Sequence, residues 1–150
     1  MNEDLYLQYQ SKLIYACLDD FSGISVMGGY GGGQDSATPN IWWQASVDFL
    51  YRNLRCGLIE ANPVHKDFPI NDPLALCQLF AAVKPADSTF WFYVQFDGTP
   101  LLASIVENHA LMDWACVHQP LNRAFIEEVE EIYISNGVGF SEDALIPIAR

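Results

Sequence analysis

"TPNIWWQASVDFLYRNLRCGLIEA", residues 38–61, decides the fold class. Trp43, Val47, Leu50 and Leu54 recur at three- and four-residue spacing, the period of a helix with one apolar face. Thr38 or Asn40 can cap its start, and Pro39 suits the first helical turn. Gly57 stands just past its end, at the left-handed cap position, with Leu58 to supply the accompanying apolar contact. Arg52 and Arg55 fall in the last turns, where the helix dipole favours cations. "LIEA", 58–61, then reads as a short strand. A capped helix feeding directly into a strand implies an α+β chain.

The flanks extend that pattern. Upstream, Asp4 to Leu18 reads as a helix with Leu5, Leu7, Tyr9, Leu13, Ile14, Ala16 and Cys17 toward the core, and Gln8, Gln10 and Lys12 elsewhere. Five glycines between 28 and 33 follow it; such a run has high backbone entropy, and 28–38 is expected to be a mobile loop. Downstream, the proline-punctuated "ANPVHKDFPIND", 61–72, connects to a third helix. Asp72 caps it, Pro73 takes its first position, and Leu74, Cys77, Phe80 and Ala81 line one face. "STFWFYVQF", 88–96, is aromatic and β-branched and reads as a strand, with Asp97-Gly98 as the turn after it. Residues 99–110 have two readings, a returning hairpin strand or a helix with Thr99 as N-cap and Pro100 first. The proline, which interrupts a ladder, favours the helix. "ALMDWACVH" reads as a short helical continuation. The last long helix runs from Leu121 to Ser135, with Leu121, Phe125, Val129 and Ile132 inward and Asn136-Gly137 ending it; Ser141 caps a final short turn. The expectation is one mainly helical α+β domain over 1–150, with four to six helices and a small antiparallel sheet.

A chain of 150 residues with 51% hydrophobic and 13% aromatic content is not disordered. It buries about two thirds of its unfolded surface and needs no metal or disulfide to fold. Seven Lys+Arg against nineteen Asp+Glu leave a net charge of −12. That field repels nucleic acid and anionic membranes and steers cationic partners inward. No apolar window is long enough to span a bilayer. The opening "MNEDLYLQYQ" is acidic and lacks an apolar core, so no secretory signal is expected and the cytoplasm is the expected compartment. Cys17, Cys56, Cys77 and Cys116 are widely spaced and are expected to be reduced thiols, not disulfides or metal ligands. No cofactor and no metal are expected.

"FIEEVEEIYI", 125–134, sets four glutamates on one helix. Glu127/Glu131, Glu127/Glu130 and Glu128/Glu131 are neighbours at helical spacing, each pair costing an isolated helix about 0.2–0.5 kcal/mol. Arg123 can relieve Glu127 at i,i+4, and no base follows for the others. Two readings stand: the solvated face of an acidic protein, or a face kept for a cationic partner. Glu142 and Asp143 extend the acidic patch in sequence, and Tyr133 and Trp114 are aromatic candidates for a contact surface.

Catalytic motifs fail on detail. "GGYGGGQ", 28–34, lacks the Lys-Ser/Thr of a phosphate loop and the GxGxxG of a dinucleotide site. "GISVM", 23–27, has Met27 where a nucleophile elbow has its second glycine. His65, His109 and His118 form no helical ligand pair. A small enzyme would draw on Asp19, Asp20 or His118, with the glycine run as a lid, and would need a pocket of titratable groups with shifted pKa. An adaptor or scaffold would need an exposed apolar patch.

The stretch "LYRNLRCGLIEA", followed by a connection and an aromatic segment, resembles small bacterial immunity proteins that neutralise polymorphic toxins, over about residues 41–98. The resemblance implies a winged-helix-like middle and one-to-one binding to a cognate, basic toxin. It carries over no catalytic residues. Duplex binding does not follow, because "DPLALCQLFAAVK" offers one lysine and a mostly apolar surface. The functional expectation is a cytosolic protein-binding inhibitor using Glu127, Glu128, Glu130, Glu131, Glu142, Asp143, Tyr133 and Trp114.

Overall fold

The structure, a computed structural model, describes residues 3–33, 35–62, 69–140 and 144–149. His65, the Ser141 cap, Glu142 and Asp143 lie outside the described residues. The chain is mainly helical α+β. Its helices among the described residues are α1 (Glu3–Leu18), α2 (Pro39–Arg55), α3 (Pro73–Ala82), the single turn α4 (Phe90–Tyr93), α5 (Pro100–Asn108) and α6 (Arg123–Ser135). The strands are β1 (Phe21–Ser22), β2 (Ile59–Ala61) and β3 (Gln95–Gly98). They form one antiparallel sheet in the order β1-β3-β2, with Phe21 opposite Phe96 and Ile59 opposite Gly98. A wing needs adjoining strands joined as a hairpin. Here α3 and α4 lie between β2 and β3, so the winged-helix expectation is not what the sheet presents.

Helix α2 is the centre. Trp42, Trp43, Val47, Phe49 and Leu50 are all buried, so it is covered on more than one side. The Trp43 indole donates to the Phe80 carbonyl at 2.8 Å and ties α2 to α3. Gly57 and Gly137 take positive φ after α2 and α6, as left-handed caps require. The Asp72, Thr99 and Asn122 side chains accept from backbone N–H groups at the starts of α3, α5 and α6. In α3, Cys77, Phe80 and Ala81 are buried as expected, Leu76 is buried with them, and Leu74 is exposed.

The aromatic stretch at 88–96 is the main departure from expectation. It forms the turn α4, and the strand begins only at Gln95. Trp91 is buried against Phe80 and Trp42, and its indole donates to Val83 O, while Phe92 and Tyr93 face outward. A single buried ring with two exposed successors suits one helical turn, not an alternating strand. Asp97-Gly98 lies inside β3, opposite Glu60 and Ile59, and makes no hairpin turn. The Thr99-Pro100 helix reading holds. Helix α5 ends at Asn108 and the chain turns through Ala110, which has positive φ, so residues beyond it restart as a separate 3-10 turn at Trp114–Cys116.

The glycine run supplies left-handed residues to a chain of tight turns. Gly28, Gly31, Gly32 and Gly33 have positive φ, and Tyr30, Gly32 and Gly33 donate back to Met27, Gly29 and Tyr30 carbonyls. Val26 and Met27, just before it, are fully buried.

Candidate functional site

Helix α6 sorts its four glutamates by face. Phe125, Ile126, Val129 and Tyr133 fill the core side. Glu128 meets the Nε2 of His109, the C-cap of α5, at 2.9 Å, and the His109 ring stands edge-on to Phe125. Glu130 accepts from the Tyr6 hydroxyl at 3.5 Å; desolvation first, and then this carboxylate, raise the Tyr6 pKa. Glu127 and Glu131 are exposed and have no hydrogen-bond or ion-pair partner among the described residues. Ile134, 62% exposed, continues their row one turn on. The outward stripe is therefore Glu127, Glu131 and Ile134.

Two expectations are corrected here. Arg123 does not relieve Glu127; it pairs with Glu3 of α1 at 3.3 Å. Tyr133 is no surface anchor. Its ring is fully buried, its hydroxyl donates to Asn53 Oδ1 at 2.6 Å, and burial raises its pKa well above the ordinary value. Trp114 is 54% exposed, but it stands away from the α6 stripe, edge-on to Tyr15 of α1.

Helix α2 also carries an inward polar row that its apolar periodicity does not announce. Gln44, Asp48 and Arg52 recur every four residues and face the C-terminal segment. Arg52 is 4% exposed; it donates to Val138 O at 2.7 Å, Gly139 O at 3.0 Å and the Tyr9 hydroxyl at 2.9 Å. Asp48 Oδ1 accepts from Leu145 N and from Gln44 Nε2, both at 3.1 Å. Gln44 also exchanges bonds with Ile146 O and Ile148 N. Burial pushes the Asp48 carboxyl up to about 6, against the opposing pull of Arg52. Arg52 was read as a dipole cation; it is instead a fork that closes the backbone of 138–139. Its signal in the sequence is the four-residue repeat of Gln44, Asp48 and Arg52.

The row forms the floor of one cleft of about 660 Å3, bordered by Tyr30 and Thr38 of the glycine segment. A second, of about 910 Å3, lies on the other side of α1. It brings together Lys12, Tyr15, Gly28, Gly29, Trp114 and His118. His118 thus does meet the glycine turn, whereas Asp19 and Asp20 do not line this cleft. Gln10 and Lys12, expected to lie off the apolar face of α1, are nonetheless both at least partly covered. Gln10 is 1% exposed and bonds Pro120 O and Asn122 N, while Lys12 is half-buried.

The four cysteines are free; burial raises Cys17 and Cys56 to about 11 and Cys77 further, so none of these three is a reactive thiolate. Among the described residues no group of three His, Cys, Asp or Glu side chains is placed to hold a metal, and no helix is long and apolar enough to cross a membrane. No family model matches the chain, and no curated protein or solved structure matches it.

Proposed function

We propose that this is a cytoplasmic binding protein that inhibits a basic partner, of the toxin or effector kind, by docking along α6 and covering the partner's active surface. The observation that carries the reading is the Glu127–Glu131–Ile134 stripe. Two exposed carboxylates one turn apart repel each other, and no base among the described residues offsets them. An apolar side chain at 62% exposure completes the row. Guanidinium or ammonium groups of a partner would relieve the repulsion, and Ile134 would supply apolar contact beside them. Glu128 and Glu130, held by His109 and Tyr6, add field without being free to reorient. The net charge of −12 speeds encounter with a cation and discourages nucleic acid.

The test is capture from native lysate at low salt, eluted by a salt step, with Glu127→Lys/Glu131→Lys as the control bait. One basic protein, recovered in equal amount by the wild type and lost with the double variant, is the expected result. Equal capture by both baits would remove α6 from the interface.

A further inference from the structure

The larger cleft has a feature that a docking face on α6 does not use. Among the described residues, Lys12 is the only Lys or Arg side chain in its lining. The Lys12 Nζ lies 4.4 Å from the Tyr15 ring centroid and 5.3 Å from that of Phe21. Among the described residues no carboxylate pairs with it. Contact with aromatic faces offsets about 0.5–2 kcal/mol of a cation's lost hydration, less than an anion would. The nearest acid on the same face of α1 is Asp4, eight residues back and so about 12 Å along the axis. The cleft is thus polarised, with its cation at the aromatic end.

That end also has an apolar wall made of two rings. Trp114, 54% exposed, meets Tyr15 edge-on with centroids 5.4 Å apart. The exposed Gly28 and Gly29 line the same cleft, and their backbone N–H groups donate to no acceptor among the described residues. The volume, about 910 Å3, is that of a small-molecule site.

We propose that this cleft binds a small aromatic carboxylate, with the Lys12 ammonium pairing the carboxylate and the Tyr15–Trp114 wall packing the ring. The site is independent of the α6 stripe. Burial lowers the free Lys12 amine to about 8, so a bound anion must move it back upward.

The experiment uses the full chain with benzoate as probe and benzamide as its uncharged counterpart. The chain has three lysines, Lys12, Lys66 and Lys84, so 13C-labelled lysine gives a titration for each. Saturable benzoate binding that raises the Lys12 pKa by about one unit, with no such effect of benzamide, is the expected result. Lys12→Met should abolish benzoate binding and Lys12→Arg should keep it within several-fold, while Trp114→Ala weakens it. An unmoved Lys12 under saturating benzoate overturns the proposal. So does the absence of saturation by about 10 mM, or equal binding by a folded Lys12→Met chain. If Lys12→Met does not fold, the Lys12 titration and Lys12→Arg decide alone.

Discussion

Helices α2 and α6 carry the same kind of row and send it in opposite directions. On α2, Gln44, Asp48 and Arg52 are turned inward, and the row bonds backbone groups of Val138, Gly139, Leu145, Ile146 and Ile148. On α6, Glu127, Glu131 and Ile134 are turned outward, and the carboxylates hold no described partner. The difference lies in what each helix has on its far side. Helix α2 is central, so its polar face still meets chain, and only side chains that satisfy buried carbonyls and amides are tolerated there. Helix α6 covers the core from one side, so its far face meets water, where mutual repulsion costs tenths of a kcal/mol, not several. A charged row at helical spacing is therefore a structural clamp or a free surface according to position in the packing, and its composition hints which. Mixed donors and acceptors suit a clamp. Like charges do not.

The largest effect is expected of Arg52→Leu. Losing the guanidinium leaves the Val138 and Gly139 carbonyls and the Tyr9 hydroxyl without their donor or partner. A destabilisation of about 3–5 kcal/mol is expected in urea unfolding, the range for removing one side of a buried charged network. A loss under about 1 kcal/mol would show that the C-terminal segment is not clamped by this row.

Asp48→Asn sharpens the same comparison with the opposite sign. The folded Asp48 titrates at about 6, above the ordinary value of about 3.9. Its contribution favours the fold fully below about pH 3.9 and is lost as pH rises through about 6. At pH 8 the ionised group therefore costs up to roughly 3 kcal/mol. Both the Gln44 and Leu145 donors use Oδ1, an acceptor that asparagine keeps. The variant is expected to be about 1–3 kcal/mol more stable at pH 8 and equal to the wild type near pH 4. A variant no more stable at pH 8 would mean that Arg52 holds Asp48 ionised at little cost.

Glu131→Arg probes the outward row and should barely touch stability. The introduced guanidinium lies four residues after Glu127, the favourable order for a helical ion pair, so a gain of about 0.2–0.5 kcal/mol is expected. Thermal unfolding at low and high salt checks it. A loss above about 1 kcal/mol would show that Glu131 has a structural partner.

Much of the fold was legible because its signals are local. Asp72-Pro73, Thr99-Pro100, Gly57 and Asn136-Gly137 mark helix ends by backbone chemistry that needs no tertiary context. "FWFY" was misread for the complementary reason. Aromatic strand preference reflects fit to a half-buried pleated surface, and here the Trp91 pocket made by Phe80 and Trp42 claimed one ring and turned the backbone. Tyr133 was misassigned because its helical row faces either core or solvent, and only Asn53 of α2, waiting to accept its hydroxyl, shows which.

By itself, then, the sequence determined the class, a mainly helical α+β chain with a strong acidic imbalance, and the start and stop of most helices. It determined the repulsive spacing of the glutamates as well, since i,i+3 and i,i+4 geometry follows from helicity alone. Only the tertiary structure decided which carboxylates are held, with Glu128 on His109 and Glu130 on Tyr6, and which face out. It alone gathered Lys12, Tyr15, Trp114 and His118 from opposite ends of the chain around one cleft. Proximity between distant residues is set by how whole helices pack, and no local propensity encodes it.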